Sequence, residues 1–434
     1  MNISNEIENL ILKLGEDFKP LKYVYNQNKF IPGETPVYYS GPFWDNNEII
    51  EAIKTLILGD WLSSGENVKI FEQEFSKKFK NKFSLMVNSG SSANLVMIAA
   101  LKKVLGWKDN DEIILSVVGF PTTTSALIVN KLKPVFIDIE FDTLNFDLNL
   151  IEKSITDKTK AIFLSPVLGN TCNIDFLIDL CKKYNLELIL DNCDSLGSTW
   201  KGKYLNEYAI ASSCSFYAAH HICTMEGGSI SSNNNKIITT ARSISWWGRS
   251  CHCAGAENLC ANGMCKKRFS AWLPDSDIII DHKYFFTNIG YNLKPLDLQG
   301  SIGQVQLKKF DNIHKNRINS KNTIQAIFEK YIPGVKVINE LEHASTSWFG
   351  TPIICDTYDL KLRLVEHLEK NKIQTRNYFA GNILLHPAYK EYGDYSEFPM
   401  ANQVLERVFF VGASPHYDQP IFDYFESVLK NYNI

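Results

Sequence analysis

An excess of either charge is missing from this 434-residue chain, in which 45 Lys and Arg stand against 48 Asp and Glu for a formal net charge of −3. A chain so balanced projects no basic field toward nucleic acid and carries no acidic tail. No apolar run approaches the length that spans a bilayer. The opening "MNISNEIENLILKLGEDF" mixes acids with apolar residues and has neither the basic start nor the small-residue cleavage site of a secretory signal. Internal repeats and low-complexity tracts are also missing. These gaps argue against a nucleic-acid binder, a membrane protein and a repeat scaffold, and the expectation is a soluble cytoplasmic protein. Thiols stay reduced there, so the ten cysteines read as core residues or metal ligands rather than as a disulfide framework.

Hydrophobic residues make up 45% of the chain, enough for a large core divided over two or three domains. A helical opening gives way to "FIPGETPVYYSGPF", whose prolines and glycines suit an extended connector, so residues 1–43 form an N-terminal helix and connector. Strand-like runs then alternate with amphipathic helices over residues 44–304: "FSLMV" before "SSANLVMIAALKKVL", "EIILSVV" before "TTTSALIVNKL", "AIFLSPV" before "FLIDLCKKYN". The alternation predicts an α/β fold with a mostly parallel sheet covered on both faces, and ligands of such sheets sit at the carboxyl ends of the strands. From about residue 305 a long helical stretch leads into a smaller C-terminal domain of short strands and helices, residues 305–434.

The strand ends carry the chemistry. "VNSGSSAN" follows a strand and opens a helix, so its backbone amides with Gly90, Ser91 and Ser92 can cradle a phosphate, although the same residues also serve as plain N-caps. "LILDNCDSLG" ends an apolar strand on Asp191 and Asp194, whose desolvation calls for something positive, a structural partner or a cationic ligand. Phe120 ends another strand, placed either to stack on a planar ring or to fill the core. "SFYAAHHICTMEGGS" contributes Ser215 and the pair His220 and His221 before a Glu-Gly-Gly turn.

In this order the elements resemble the DegT/DnrJ/EryC/StrS sugar aminotransferase family, which acts on nucleotide-linked keto sugars. The resemblance extends from "LGDWLSSGENVKIFEQEF" through "NIGYNLKPLDLQGSIGQVQL" to "TRNYFAGNILLHPAY". It implies the aspartate aminotransferase-type fold (fold type I) and a pyridoxal phosphate site. There Asp191 holds the pyridine nitrogen protonated, Gly90, Ser91, Ser92 and Ser215 serve the phosphate, and Phe120 covers the ring. It also implies a homodimer with shared sites, in which Asn292 reaches the cofactor phosphate of the neighbouring subunit. Asp194 stands where relatives place a Gln near the cofactor's phenolic oxygen. Arg376 and Arg407 offer forks for a sugar diphosphate or serve as surface or helix-pairing arginines.

One position departs from the ordinary members. The lysine that forms the internal Schiff base is replaced by His220, which cannot make a stable imine, so the resting cofactor is expected to be pyridoxamine 5'-phosphate (PMP), held without a covalent bond. The imidazole still moves a proton near neutral pH, and the register from Ser215 favours His220 over His221 as the base. Lysine-to-histidine members that the chain resembles are 3-dehydrases of 4-keto-6-deoxy sugars, of two kinds. One acts on a GDP-linked sugar, regenerates its cofactor with glutamate and has no cluster. The other acts on a CDP-linked sugar through a 2Fe-2S cluster.

The cysteines favour the second kind. The interval from Cys193 to the C-x-C pair Cys251 and Cys253 in "CHCAGAENLCANGMCKKRF" matches the CDP-sugar enzyme. Cys265, directly before "KKRF", is taken as the fourth ligand, with Cys260 as the alternative and a zinc site as the competing use of four thiolates. The implied reaction gives a 3,6-dideoxy-4-keto sugar for cell-surface polysaccharide such as O-antigen. Its electrons come from a separate NAD(P)H-dependent flavin and iron–sulfur reductase, since no dinucleotide fingerprint follows a strand here. A catalytically inactive scaffold that retains the cofactor fold is the non-enzymatic alternative.

Overall fold

Strands covered on both faces commonly read as near-continuous apolar runs rather than as alternating ones. The "ELILD" run is of this kind, and it forms the middle of a seven-stranded sheet. The computed structural model describes residues 3–17, 30–251, 268–270 and 272–432. The large sheet comprises β1 (Phe83–Val87), β2 (Glu112–Ser116), β3 (Lys133–Ile137), β4 (Thr159–Leu164), β5 (Glu187–Asp191), β6 (Ala211–Ser215) and β7 (Gly228–Ser232), in the order β1-β7-β6-β5-β4-β2-β3. Every pairing is parallel except the two made by β7. The expected α/β fold with a mixed, mostly parallel sheet is therefore observed.

Within β5, Ile189 faces one core while Leu188 and Leu190 face another. The first is built on helices α4 (Gly90–Leu105) and α7 (Asn235–Ser245), and the second on α6 (Ile174–Tyr184). Strand β7, "GSISS", has little apolar signal yet is buried throughout. Two of its three hydroxyls are paired in this burial: Ser231 Oγ meets Ser84 Oγ at 2.7 Å and Ser232 Oγ donates to the Ile210 carbonyl at 2.7 Å, while Ser229 Oγ is buried without a partner.

A second, antiparallel sheet contains β8 (Val335–Val337), β9 (Gly350–Cys355), β10 (Thr375–Asn377) and β11 (Val408–Gly412), ordered β8-β9-β11-β10. One of its faces, with Ile353 and Phe409, packs on helices α8 (Asp297–Tyr331) and α11 (Gln419–Lys430). The other, with Ile354 and Phe410, lies against Val117, Val118 and Leu168 from the strand-end loops of the large sheet. Helix α8 is 35 residues long, roughly 50 Å, and residues 304 and 305 lie inside it. Near its start Gly300 and Gly303 let it meet α3 (Glu66–Lys78) at contact distance, since a Cβ on Gly300 would fall 2.4 Å from the Val68 nitrogen. Its later turns pack on the small sheet, so one rigid rod spans both layers. Among the described residues no helix is long and apolar enough to cross a membrane.

Past β11 the chain returns to the N-terminal connector through His416, whose Nε2 lies 3.0 Å from the Pro42 carbonyl. Burial pushes this imidazole down to about 4 from its ordinary 6.5. The unfolded chain takes up the proton that the folded chain refuses, so stability is complete above pH 6.5 and drains away as pH falls toward 4. Thermal unfolding across that window should show a falling Tm in the wild type and a shallower fall in His416→Gln; parallel curves would refute the assignment.

Candidate active site

The carboxyl ends of β1, β2, β4, β5 and β6 lie along one edge of the large sheet, and the small sheet roofs them. Between the layers is a cavity of about 440 Å³ lined by Gly90, Ser91, Phe120, Asp191, Cys193, Asp194, Ser215 and His220, with Tyr39, Tyr217, Phe349 and Arg376 among its other walls. Eight residues singled out by their place in the sequence thus meet in one space.

Asp191 ends β5 and is only 5% exposed. Its Oδ2 accepts from Asn94 Nδ2 and Thr123 Oγ1, each at 2.7 Å, and its Oδ1 accepts from the Cys193 amide at 3.2 Å. Asn94 is fixed in turn by Ser213 Oγ at 2.5 Å. Buried carboxylates survive as charges only with such donors. Asn94 and Thr123 were not among the residues that the sequence pointed to. "SSAN" carried the first in plain view, but which carboxylate it would serve depends on how α4 lies across the sheet.

Helix α4 brings its positive N-terminal end to the cavity, capped by Ser89, whose Oγ accepts from the Ser92 amide at 3.1 Å. Ser92 takes part in this cap, since Ser89 Oγ also donates to Ser92 Oγ at 2.9 Å. It does not line the cavity, which corrects its expected place beside Ser91. A Cβ at Gly90 would stand 2.5 Å from the Ser215 Cβ and 3.1 Å from the Cys193 sulfur. Only glycine lets the helix end, Ser215 and Cys193 close around one small space. Phe120 stands half-exposed at the mouth, edge-on to Phe379 at 5.9 Å.

His220 sits in the loop after β6, its ring 5.2 Å from that of Phe349. Its Nδ1 is buried without a hydrogen-bond partner and lies 3.6 Å from Asp194 Oδ1, too far for a bond. Burial, helped by the Arg317 guanidinium, pushes the imidazole down to about 4, so it is neutral at pH 7. Burial, with Asp191 close by, pushes the Asp194 carboxyl up to about 7, while its Oδ2 is held by the Leu168 amide at 3.1 Å. The adjacent histidine does something different. His221 is buried, with Nε2 2.8 Å from the Ser347 carbonyl, and pins the loop.

Other expected residues lie elsewhere. Asn292 is exposed, outside the cavity of its own chain, and accepts from Lys294 Nζ. Arg407 donates to the Cys355 carbonyl and to Gln403, each at 2.9 Å, and so is a structural arginine, whereas Arg376 reaches the cavity with its guanidinium over the Tyr39 ring. Of the four cysteines chosen as cluster ligands, Cys193 lines the cavity and Cys251 is half-buried, while Cys253, Cys265 and the alternative Cys260 fall outside the described residues. Among the described residues no group of three His, Cys, Asp or Glu side chains could hold a metal ion. Burial and the Asp191 carboxylate push the Cys193 thiol well above its usual value, so it is a neutral thiol unless a cation or metal meets it.

The sequence pattern of the DegT/DnrJ/EryC1/StrS aminotransferase family matches residues 44–424. The chain belongs to this family. Among its relatives, the dTDP-4-dehydro-2,6-dideoxy-D-glucose 3-dehydratase of Saccharopolyspora spinosa is 34% identical over 404 residues, 91% of this chain and 86% of that protein. The lipopolysaccharide biosynthesis protein RfbH of Salmonella typhimurium is 31% identical over 99% of this chain and 98% of its own. A solved structure of the E. coli GDP-4-keto-6-deoxy-D-mannose-3-dehydratase with bound hydrated PLP superposes with a TM-score of 0.79 at 31% identity, covering 91% of this chain and 99% of that one.

The family's cofactor suits this cavity, whose walls include an anion cradle at a helix N-terminus that a single Cβ would fill, a buried carboxylate and an unpartnered imidazole nitrogen. Gly90→Ala should therefore weaken pyridoxal or pyridoxamine phosphate binding by about tenfold or more, the scale of overpacking a tight site, in a fluorescence titration. Unchanged affinity would mean the phosphate sits elsewhere.

Proposed function

We propose that the protein is a PMP-dependent dehydratase that removes the C3 hydroxyl of a nucleotide-linked 4-keto-6-deoxy sugar. His220 carries this reading. A neutral imidazole, with no amine able to trap the cofactor covalently, occupies the position where the family resemblance puts lysine, while the groups that suit the cofactor surround it. The names of the relatives, 3-dehydratases of dTDP- and GDP-linked keto sugars, point the same way.

PMP, when bound, supplies an amine for the sugar 4-ketone and a ring that takes up carbanion charge. Asp191 holds the ring nitrogen protonated, its charge kept in place by Asn94, Thr123 and the Cys193 amide. Gly90, Ser91 and Ser215 hold the phosphate at the end of α4, Phe120 covers the ring and Asp194 stands by the phenolic oxygen. Asn292 serves the phosphate of the second copy in a homodimer. His220 would accept the proton whose removal drives the C3 hydroxyl out and return it to that hydroxyl, which leaves as water, and the neutral ring is the form that can accept it. Arg376, at the cavity wall, meets the diphosphate of the nucleotide sugar.

At the finer level we infer a CDP-linked sugar and a 2Fe-2S cluster on Cys193, Cys251, Cys253 and Cys265. Such a cluster would supply single electrons from a partner NAD(P)H-dependent flavin and iron–sulfur reductase, giving the 3,6-dideoxy-4-keto sugar. Support comes from the cysteine spacing and from the place of Cys193, two residues past the ring-nitrogen partner Asp191 and on the cavity wall. A glutamate-regenerated GDP-sugar dehydratase without a cluster is the second reading, favoured by the likeness to the E. coli GDP-sugar enzyme.

Anaerobically purified protein separates the two. About two irons and two sulfides per chain with broad visible absorption, lost in Cys193→Ser, is the expected result. Zinc, or no metal, would abandon the electron-transfer reading in favour of glutamate. His220→Asn should keep PMP bound and lose dehydration by about 10²- to 10⁴-fold; retained turnover would place the base on another residue.

A further inference from the structure

Arg317, in the second half of α8, is fully buried, and its guanidinium donates to backbone carbonyls. One amino group donates to Trp348 O at 3.3 Å and Phe349 O at 3.2 Å, the other to Ala219 O at 3.2 Å and His220 O at 3.1 Å. Two segments far apart in sequence are thus gripped by one guanidinium, the first carrying Phe349 and the second carrying His220, whose rings pack on each other. The guanidinium also lies 5.9 Å from the centre of the Phe349 ring.

Burying a charge without a hydrogen-bonded carboxylate is expensive, and here the four carbonyls take that place while Arg317 Nε is left without a partner. Burial pushes Arg317 down to about 10, so it stays charged at neutral pH. Neighbours on the same face of α8 grip the same segment. His314 Nδ1 meets Ser347 Oγ at 2.9 Å, and Lys321 lies over the Trp348 ring at 4.6 Å with its Nζ 2.9 Å from Asn339 Oδ1. Three polar side chains along one stripe of the long helix therefore hold Asn339 and residues 347–349, and Arg317 alone of them extends the grip to the His220 loop. A planar fork can reach four carbonyls at once, which a lysine ammonium cannot.

We propose that Arg317 is a positioning residue that sets the backbone of His220 against the Trp348–Phe349 segment and so aims the imidazole into the cavity. The proposal rests on the reading of His220 as the base, and it adds a residue that touches neither cofactor nor sugar. Ser40 Oγ, which donates to the Ala219 carbonyl at 2.6 Å, is a second tether on the same loop but does not reach His220.

The wild-type protein is tested first by amide hydrogen exchange, with and without added PMP. Residues 218–221 should exchange as slowly as the interior of β6 in both samples; exchange in seconds would overturn the proposal whatever the enzyme's activity. Arg317→Met should then lower kcat by about 100-fold, the cost of a small misplacement of a reacting group, with KM and cofactor Kd within about twofold. Arg317→Lys should recover part of kcat by restoring the charge and some of the donors. A loss shared equally by kcat and cofactor affinity, or no loss of kcat, would reject the assignment. Should Arg317→Met fail to fold, the exchange result and Arg317→Lys decide. Should the wild type dehydrate no nucleotide sugar, the functional reading fails and the exchange result still tests the grip.

Discussion

A buried carboxylate that must be met by hydrogen-bond donors governs the arrangement of this molecule. Asp191 stands at the end of central strand β5, and three donors from three different elements converge on it: Asn94 from α4, Thr123 from the helix after β2, and the amide of Cys193. Each donor is useful only if its own element lies within a few tenths of an ångström of its observed position. The carboxylate therefore ties together the neighbouring strands and helices that build the cavity floor, and satisfying a charge and constructing a cofactor site become one structural problem.

The roof is built by a different principle. The small sheet is apolar on both faces, one packed on α8 and α11 and the other on the strand-end loops, and backbone bonds from Phe349 to the Leu168 carbonyl, from Ala380 to the Gly119 carbonyl and from Ile383 to the Val117 carbonyl, each at 3.0 Å, join this burial in closing the cavity. Long helix α8 joins the two layers without a hinge. At its start it is pressed against α3 through Gly300 and Gly303, and further along it carries His314, Arg317 and Lys321 into the seam. Small residues and polar side chains on one helix thus play complementary parts, the first allowing close approach and the second fixing what approaches.

Inside the seam the electrostatics run against the solution values of the side chains. Burial holds His220 neutral and Asp194 near its own neutral point, and it keeps the Cys193 thiol protonated. A bound cofactor, with its pyridinium and phosphate, brings countercharges to these groups. Such a cavity is prepared for an ionic ligand, and it explains why so many titratable groups are gathered where water is scarce.

Strands β1 to β5 were legible because they are largely apolar runs, and Asp191 and Phe120 were legible because they stand at or just past the ends of such runs, whereas serine-rich β6, which ends on Ser215, was not. His220 in place of lysine is likewise a fact of the sequence alone. Strand β7 was not legible: "GSISS" is serine-rich, and its burial depends on hydroxyl partners in β1 and in the chain before β6 that only the fold supplies. Nor could the sequence separate the two neighbouring histidines by environment. The register from Ser215 selected His220, but only the packing shows His221 bonded to Ser347 and turned into the core. Ser92 and Arg407 had suitable chemistry and found local partners instead, a helix cap and a strand-end carbonyl. Arg317 had no motif at all, because its meaning lies in four carbonyls from two distant segments. Sequence determines which groups are present and in what local order; the tertiary structure decides which of them lose their water together, and that loss gives a buried charge its strength and its cost.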